Sequence, residues 1–484
     1  MAEGITVVGL GPGDAGQITR EAWQALESAD EVYLRTSRHP CVVALPSQPR
    51  YHSFDDVYER HEQFSAVYEE IVERVVSLGQ RPRGVVYAVP GHPLVGETTV
   101  QMVLAQAEAE GLPVSVVAGV SFIEPILTAL RLDPFDGLQI SDATVLARQH
   151  HPNLDPDVGV LIVQLYNRQV AADVKLTLMS LYHDDHAVTL VRAAGTAEET
   201  VRRLPLYELD RQEDLDHLTT VYVPPLDKPG SLASYQNVVA ALRAPGGCPW
   251  DREQTHASLR THLLEEAYEV LAALDADDMD DLREELGDLL LQVFLHAQIA
   301  CEDGDFQMID SVQQVIEKLV RRHPHVFSDE TVADSDEVLR NWEQIKRQER
   351  AEKDETFRSL LAGVPLALPA LSRALEVQRR AARVGFDWPA VAPVRAKLSE
   401  ELAEFDGAGD EESRAAELGD LLFSVVNLAR WHELDPESIL RETVRRFSER
   451  FAHIERHAAE AGRPLEEMTL EEMDRLWELA KEVE

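Results

Sequence analysis

Hydrophobic and polar positions follow two different patterns along the chain, and the change falls near residue 225. Before it, short Val- and Ile-rich runs bounded by Gly, Pro or Asp alternate with helical stretches such as 19–29 and 98–109. This alternation predicts an α/β domain with a largely parallel sheet. The predicted strands are 5–10, 84–89, 114–117, 158–165 and 187–191.

The rest of the chain has a helical pattern. The segment PPLDKPGS (224–231) contains three prolines and a glycine and is typical of a linker. From residue 232 onward, apolar positions recur three and four apart, which predicts one amphipathic helix after another. A second Pro- and Gly-containing break lies at 362–369. We therefore predict three domains, at residues 1–225, 232–352 and 365–484.

The helical part contains an internal repeat. Its first copy has LLEEAYEVL (263–271) followed by EELGDLLLQV (284–293), and its second has LSEELAEF (398–405) followed by AELGDLLFSV (416–425). Both copies share Glu-Glu-x-x-Glu and then Glu-Leu-Gly-Asp-Leu-Leu. At about 120 residues, the repeat is too long for a solenoid unit. Tandem domains that arose by duplication are the simpler interpretation.

The acidic positions of each copy are spaced to share helix faces. In the first copy Glu266 and Glu269 are three apart, as are Glu285 and Asp288 on the next helix. Two such helices side by side would bring carboxylates together, and these repel each other unless a cation lies among them. Oxygen ligands without Cys or His favour Mg²⁺ or Mn²⁺ over zinc. One Glu-Glu-x-x-Glu alone is typical of a solvated face, but its repetition with the same following motif favours a metal site.

The composition limits the classes of partner. Lys and Arg number 46 and Asp and Glu number 87, so the net charge is 46 − 87 = −41. Such a chain repels nucleic-acid backbones, and we expect no nucleic-acid partner. Its cysteines, Cys41, Cys248 and Cys301, are far apart and fit a reducing cytosol. Since there is no long apolar run and no signal-peptide pattern at the N-terminus, we expect a cytoplasmic protein with no membrane partner.

Basic and aromatic residues follow the acidic motifs at matching spacings. Lys318 and Arg322 are four apart, and so are Arg446 and Arg450. In such an acidic chain these pairs could face a polyphosphate, although surface ion pairing is an equal alternative. Each copy then carries a Trp and, four residues later, a Lys. The Trp could stack on a base or belong to the core.

These motifs, with GGCPWDREQTHASL (246–259) and RAARVGFDW (380–388), resemble the MazG nucleotide pyrophosphohydrolases of the all-α NTP pyrophosphatase superfamily. The resemblance covers about residues 232–484. It implies helical bundles, usually dimeric, that hydrolyse nucleoside triphosphates to monophosphate and pyrophosphate with Mg²⁺ or Mn²⁺.

The resemblance also implies roles for individual residues. The metal ligands would be Glu266, Glu269, Glu285 and Asp288 in the first copy and Glu401, Glu404, Glu417 and Asp420 in the second, with Glu265 or Glu400 as general base. The substrate-binding residues would be Lys318, Arg322, Trp342 and Lys346 in the first copy and Asn427, Arg446, Arg450, Trp477 and Lys481 in the second. Leu295 stands where the second copy has Asn427, and the second copy is expected to be the active one.

A glycine-rich loop, GLGPGD (9–14), follows the first predicted strand. It departs from the dinucleotide fingerprint G-x-G-x-x-G because Asp14 stands where the last glycine is needed. A plain tight turn explains this loop equally well.

Further segments of the N-terminal part carry a second resemblance. VVYAVPGHPLVGE (85–97), VVAGVSFIEPIL (116–127), LIVQLYN (161–167) and VRAAGTAEE (191–199) are similar in order and spacing to the tetrapyrrole methylases. That family has two α/β lobes with S-adenosylmethionine (SAM) between them. The resemblance implies cofactor contacts at Pro12, Gly91, His92, Val95, Ser121, Phe122, Leu165, Tyr166 and Ala194.

The whole chain resembles bacterial fusions of these two families. The leading hypothesis is therefore a Mg²⁺-dependent pyrophosphohydrolase, acting on NTPs or dNTPs, that carries a methylase-like domain. One alternative is a SAM-dependent methyltransferase, acting on a tetrapyrrole-like substrate, whose MazG half only forms the homodimer. Another is a module that senses SAM or a tetrapyrrole and regulates the hydrolase.

Overall fold

The chain forms two compact units, which divide after Val238. The computed structural model describes residues 4–483 except 62, 329, 333, 336, 339–340, 343–344, 346–348 and 350–358. The division lies later than the predicted boundary at 225, within a helix at Leu232–Arg243. The finer division of the second unit into 232–352 and 365–484 stays a prediction.

The first unit alternates strands and helices. Its strands are β1 (Ile5–Gly9), β2 (Glu31–Leu34), β3 (Arg50–Ser53), β4 (Val85–Val89), β5 (Val114–Val117), β6 (Leu138–Asp142), β7 (Gly159–Val163), β8 (Ala187–Arg192), β9 (Thr200–Pro205) and β10 (Thr219–Val223). Its helices are α1 (Arg20–Glu27), α2 (Asp55–Arg60), α3 (Phe64–Gly79), α4 (Thr98–Glu110), α5 (Ile123–Leu130), α6 (Ala143–Leu146), α7 (Arg168–Leu178) and, running past the division, α8 (Leu232–Arg243).

Two five-stranded sheets organise the described part of this unit. The first has the order β3-β2-β4-β1-β5 and is parallel throughout. Its central strand β4 is buried at every position, as expected for a parallel sheet covered by helices on both faces. The second has the order β6-β7-β10-β8-β9, and only β6 and β7 are parallel neighbours.

The predicted α/β class is confirmed, but the prediction of a largely parallel sheet was wrong for residues beyond β5. The second sheet is mainly antiparallel because β9 and β10 both run opposite to β8, and β10 also runs opposite to β7. The strand β9, TVRRLP, was hard to recognise because half of its residues are polar or charged. The strands β2 and β3 were missed for the same reason, since EVYL and RYHS carry charged or polar residues.

The second unit consists of helices in its described part. They are α9 (Pro249–Glu253), α10 (Arg260–Ala276), α11 (Met279–Asp303), α12 (Met308–Arg322), α13 (Pro324–Phe327), α14 (Ala370–Arg383), α15 (Val391–Gly407), α16 (Glu411–Trp431), α17 (Pro436–Glu460) and α18 (Leu470–Val483). No helix in the described ranges combines the length and the apolar character that crossing a membrane requires.

Each repeat contains a helical hairpin that positions its acidic motifs. Helix α10 ends at Asp277, which has a left-handed backbone, and the Asp278 carboxylate caps the N-terminus of α11. In the second repeat Asp410 caps α16 by accepting from the Ser413 N–H at 2.8 Å. The short connections force α10 against α11 and α15 against α16.

One ion pair joins the two repeats. Arg441 of α17 donates from Nη2 to Oδ2 of Asp275 at 2.9 Å, and Asp275 lies near the end of α10. Both side chains are largely shielded from solvent. The helix that carries Glu266 is therefore held to a helix of the second repeat.

Candidate functional site

Two clusters of three carboxylates lie on the helical hairpins. In the first repeat Glu266 of α10 faces Glu285 and Asp288 of α11. In each cluster one oxygen from every carboxylate lies within 4.8 Å of the others. The corresponding residues of the second repeat are Glu401 of α15 and Glu417 and Asp420 of α16. The sequence prediction that the acidic motifs converge on paired helices agrees with this geometry.

Mutual repulsion is visible in the electrostatics of the first cluster. The pKa of Glu266 is raised above its ordinary value by burial, and then by the charges of Asp288 and Glu269. The pKa of Glu285 is raised by partial desolvation, and then by the charges of Glu269 and Asp281. Because Glu269 acts on both residues, it belongs to the edge of this cluster.

The second cluster differs in having a cation of its own. Lys397 Nζ lies 2.8 Å from Oε1 of Glu400 and 2.8 Å from Oε1 of Glu401. Glu401 is 5% exposed, so this pairing compensates a buried charge. Partial desolvation raises the pKa of Glu404, as do the charges of Glu401 and Glu417, against the opposing effect of Lys397.

Lys397 was not predicted as a site residue, although its spacing from Glu401 indicates the ion pair. It precedes Glu401 by four residues, the spacing of an ion pair on one helix face. His262 holds the same place in the first repeat, and its Nδ1 lies 3.1 Å from Oε2 of Glu265. The two repeats therefore share their carboxylates and differ in the group beside them.

The suggested general bases lie next to the clusters, outside the three-carboxylate groups. The side chains of Glu265 and Glu400 are 57% and 56% exposed. They are paired with His262 and Lys397, respectively. Their catalytic role stays a prediction.

The suggested nucleotide-binding residues make contacts with neighbouring side chains in each repeat. The guanidinium of Arg450 lies over the ring of Trp477, with Cζ 5.5 Å from the ring centroid. In the first repeat Arg322 donates from Nη2 to Oε2 of Glu349 at 2.6 Å. Lys318 is half-buried on α12.

The remaining suggested contacts are placed as follows. Asn427 accepts a hydrogen bond from Nε of Arg430 at 3.0 Å, and Arg446 donates one to Oγ1 of Thr443 at 3.4 Å. Lys481 donates to Oε1 of Glu478 at 2.6 Å. The ring centroids of Trp342 and His323 are 6.3 Å apart. Lys346 lies outside the described residues. Substrate binding by these residues stays a prediction.

In the first unit, three glycines pack together where parallel strands end. A Cβ on Gly9 would lie 2.6 Å from the Gly91 oxygen, and one on Gly119 would lie 2.3 Å from the same oxygen. Gly11 and Gly91 also exchange backbone hydrogen bonds of 3.2 and 2.7 Å. The carboxyl edge of an open parallel sheet is where α/β proteins bind ligands, and here bare backbone lines it.

Five of the suggested cofactor contacts, including Gly91 itself, lie in the loops that follow β1, β4 and β5. Pro12 and Val95 are half-buried, and Gly91 is buried. His92 Nδ1 accepts the Leu94 N–H at 3.1 Å. Ser121 is 3% exposed; its hydroxyl donates to Glu124 and accepts from the Ile123 N–H.

The other suggested cofactor contacts lie in two places. Some directly follow residues with positive φ angles after strands of the second sheet, and one lies at the start of α5. Gln164 and Ala193, at the ends of β7 and β8, have positive φ angles of 65° and 51°. Such strain in residues other than glycine is concentrated at functional sites. The contacts in question are Phe122, which is half-buried, Leu165, which is buried, Tyr166, which is exposed, and Ala194, which is half-buried. A Cβ on Gly13 would lie 3.0 Å from Thr196 Cγ2, so the loops after β1 and β8 approach each other.

A buried ion pair at the same edge was not found from the sequence. Arg35, at the end of β2, pairs with Glu97, which is 6% exposed at the start of α4. Arg35 Nε also donates to the Tyr58 hydroxyl at 3.0 Å. The pair fixes the loop after β4, which contains His92 and Val95.

Two family models match the chain. Residues 4–210 match the tetrapyrrole (corrin/porphyrin) methylases, and residues 254–327 match the MazG nucleotide pyrophosphohydrolase domain. Among solved structures, a uroporphyrin-III C-methyltransferase from Thermus thermophilus is similar with 24% identity and a TM-score of 0.38, over 46% of this chain and 94% of that one.

Relatives cover either the whole chain or its second half. The MazG nucleoside triphosphate pyrophosphohydrolase/pyrophosphatase of Thermotoga maritima is 45% identical over 51% of this chain and 93% of its own. The nucleoside triphosphate pyrophosphohydrolase of Escherichia coli K12 is 45% identical over 51% of this chain and 95% of its own. The uncharacterized protein YabN of Bacillus subtilis is 45% identical over 100% of this chain and 99% of its own. The chain thus belongs to the family that includes YabN, in which a tetrapyrrole methylase domain precedes a MazG nucleotide pyrophosphohydrolase region.

Proposed function

We propose that the helical unit hydrolyses nucleoside triphosphates, NTPs or dNTPs, to monophosphate and pyrophosphate with Mg²⁺ or Mn²⁺. The observation that carries this proposal is the pair of carboxylate clusters on α10/α11 and α15/α16. The names of the relatives from T. maritima and E. coli support the reaction class.

The donor atoms of each cluster fit such a cation. All of them are carboxylate oxygens, which Mg²⁺ and Mn²⁺ prefer. Two oxygens on one Mg²⁺ lie at most about 4.2 Å apart, and those of each cluster lie within 4.8 Å of one another. Small side-chain rotations would therefore complete the site. The cation would offset charge on the phosphates and lower the pKa of bound water.

We assign the main activity to the second repeat. Arg450 and Trp477 form one surface with a cation and an aromatic face, which suits a phosphate and a base. Glu400, beside the cluster, would accept a proton from the attacking water, and Lys397 would contact a phosphate when it leaves Glu401.

Pyrophosphate release from a panel of NTPs and dNTPs with Mg²⁺ tests the proposal. The intact protein, Glu266→Ala and Glu401→Ala would be compared. Glu284→Ala and Glu412→Ala, exposed positions on α11 and α16, serve as matched controls. We expect Glu401→Ala alone to abolish release. Activity in both single cluster variants would mean that both sites work, and no release from any nucleotide by the intact protein would refute the proposal.

We also propose that two copies of the chain associate through the helical unit. Helix α12 has no buried residue, and its apolar side chains Ile309, Val312, Ile316 and Leu319 are 39–56% exposed. Helix α17 similarly exposes Val444. Contiguous apolar faces of this kind mark interfaces. Light scattering should give a molar mass twice that of one chain. The variant Ile316→Glu should have the molar mass of a single chain.

For the first unit we propose SAM binding, because a backbone-lined edge and two strained turns converge there. Calorimetric titration with SAM tests this proposal. Two roles depend on SAM binding: methyl transfer to a tetrapyrrole-like substrate, and control of the hydrolase by bound SAM. A change in pyrophosphate release when SAM is added would favour control.

A further inference from the structure

Gln292 occupies an unusual place beside the first carboxylate cluster. It follows Asp288 by four residues and Glu285 by seven, so all three share one face of α11. It is 4% exposed, although glutamine is mostly an exposed residue in proteins. A buried amide needs polar partners, so the contacts of Gln292 indicate what it does.

Only part of this amide is satisfied. Its side chain acts on Glu266 of the neighbouring helix α10 and opposes the rise in the pKa of that carboxyl group. Its Oε1 is buried and has no hydrogen-bond partner among the described residues. This oxygen belongs to the helix face that carries Glu285 and Asp288, and an unpaired carbonyl oxygen is a suitable ligand for Mg²⁺ or Mn²⁺.

The second repeat is built differently at the equivalent position. Ser424 follows Asp420 by four residues, as Gln292 follows Asp288. Serine is too short to extend across to the neighbouring helix. Glu401 is paired with Lys397, whereas the side chain that opposes the rise in the pKa of Glu266 is the neutral amide of Gln292. The first cluster therefore has the additional amide oxygen of Gln292 and no lysine. The second cluster has Lys397 and no such amide.

We propose that Gln292 is an additional ligand of the divalent cation in the first repeat, and that this repeat binds the cation without nucleotide. This inference rests on the proposed metal-binding role of the clusters. Rotation of the amide exchanges the positions of Nε2 and Oε1, so Gln292 can turn its oxygen toward a cation that binds among the carboxylates. In the second repeat Lys397 already neutralises Glu401, and a cation binds there only together with a triphosphate that draws Lys397 away.

Mn²⁺ binding to the full chain, followed by the electron paramagnetic resonance of free Mn²⁺ without nucleotide, tests this. We expect one tight site per chain, lost in Glu266→Gln and kept in Glu401→Gln. Gln292→Met, which is similar in size and lacks the oxygen, should weaken that site by roughly tenfold or more. Gln292→Glu should bind at least as tightly as the parent, and Gln298→Met, further along the same helix, should not change the affinity.

A gain-of-site variant gives a second test. Lys397→His combined with Ser424→Gln transfers the two first-repeat features to the second repeat and should create a second tight Mn²⁺ site. Unchanged Mn²⁺ affinity in Gln292→Met would overturn the inference, and so would a tight site that only Glu401→Gln removes. If Mn²⁺ supports pyrophosphate release and Gln292→Met binds Mn²⁺ as tightly as the parent, the role of Gln292 is refuted and the proposed hydrolase function stands. If neither cluster binds Mn²⁺ and no nucleotide is hydrolysed, the proposed function fails with it.

Discussion

Lys397 and Glu401 form an ion pair within the second carboxylate cluster, with Nζ 2.8 Å from Oε1. The residue in the place of Lys397 in the first repeat is His262, which contacts Glu265. Two hairpins with the same acidic motifs therefore have different electrostatics, and this difference can be tested.

Lys397→Met should raise the KM for a triphosphate in the second repeat. A charged hydrogen bond to a phosphate contributes about 1.5–3 kcal/mol, so KM should rise by roughly tenfold or more. Initial rates of pyrophosphate release measure this. Arg395→Met, exposed on the same helix, is the control. An unchanged KM would show that Lys397 only neutralises Glu401.

Glu349→Gln should improve nucleotide binding by the first repeat. The variant removes the carboxylate that occupies Arg322, and a partly exposed pair of this kind contributes up to about 1 kcal/mol. Nucleotide affinity, measured in a Glu401→Gln background, should increase by roughly two- to fivefold. Glu317→Gln on α12 is the control, and equal affinity in both variants would contradict the expectation.

The same pair predicts a pH dependence of stability. The Arg322 guanidinium, with a further contribution from Arg321, lowers the pKa of Glu349 from 4.5 to about 2. The folded state therefore favours the ionised carboxylate. Its contribution to stability is complete above pH 4.5 and is lost as the pH falls toward 2. Thermal unfolding of the parent and of Glu349→Gln should thus converge at low pH and differ by a constant amount near neutrality.

Gly119→Ala should destabilise the first unit and abolish SAM binding. The new Cβ would lie 2.3 Å from the Gly91 oxygen, so backbone would have to move, at a cost of about 1–3 kcal/mol. Differential scanning calorimetry and SAM titration measure the two effects. The control is Gly111→Asn, since Gly111 ends α4 with a positive φ and open space around it. Normal SAM binding by Gly119→Ala would exclude this edge as the cofactor site.

The sequence was most informative where one local rule determines the structure. Val85–Val89 is recognisable as a strand because a strand in the middle of a parallel sheet is apolar at each position. The acidic motifs were likewise recognisable because helical spacing alone places Glu285 beside Asp288. Both features depend only on residues that are close in the chain.

Features that depend on distant residues were not predictable in this way. Arg35 and Glu97 meet only after β2 and β4 have paired in the sheet. Gln292 looks like an ordinary surface glutamine until α10 packs against α11 and buries it. Glu349 follows Arg322 by 27 residues, and no local spacing connects them.

The ion pair between Asp275 and Arg441 has a consequence for how the duplicated halves can diverge. Two identical subunits that associate reversibly must both keep every residue of a shared site. Here one polypeptide supplies both halves in fixed one-to-one stoichiometry, and a tether makes their encounter independent of protein concentration. Differences between equivalent positions, such as Gln292 in the first repeat and Ser424 in the second, can therefore accumulate in one half while the other half keeps its residues. Under the proposals made above, the chain is in effect a covalently linked heterodimer, in which the first repeat holds a cation and the second repeat turns over substrate.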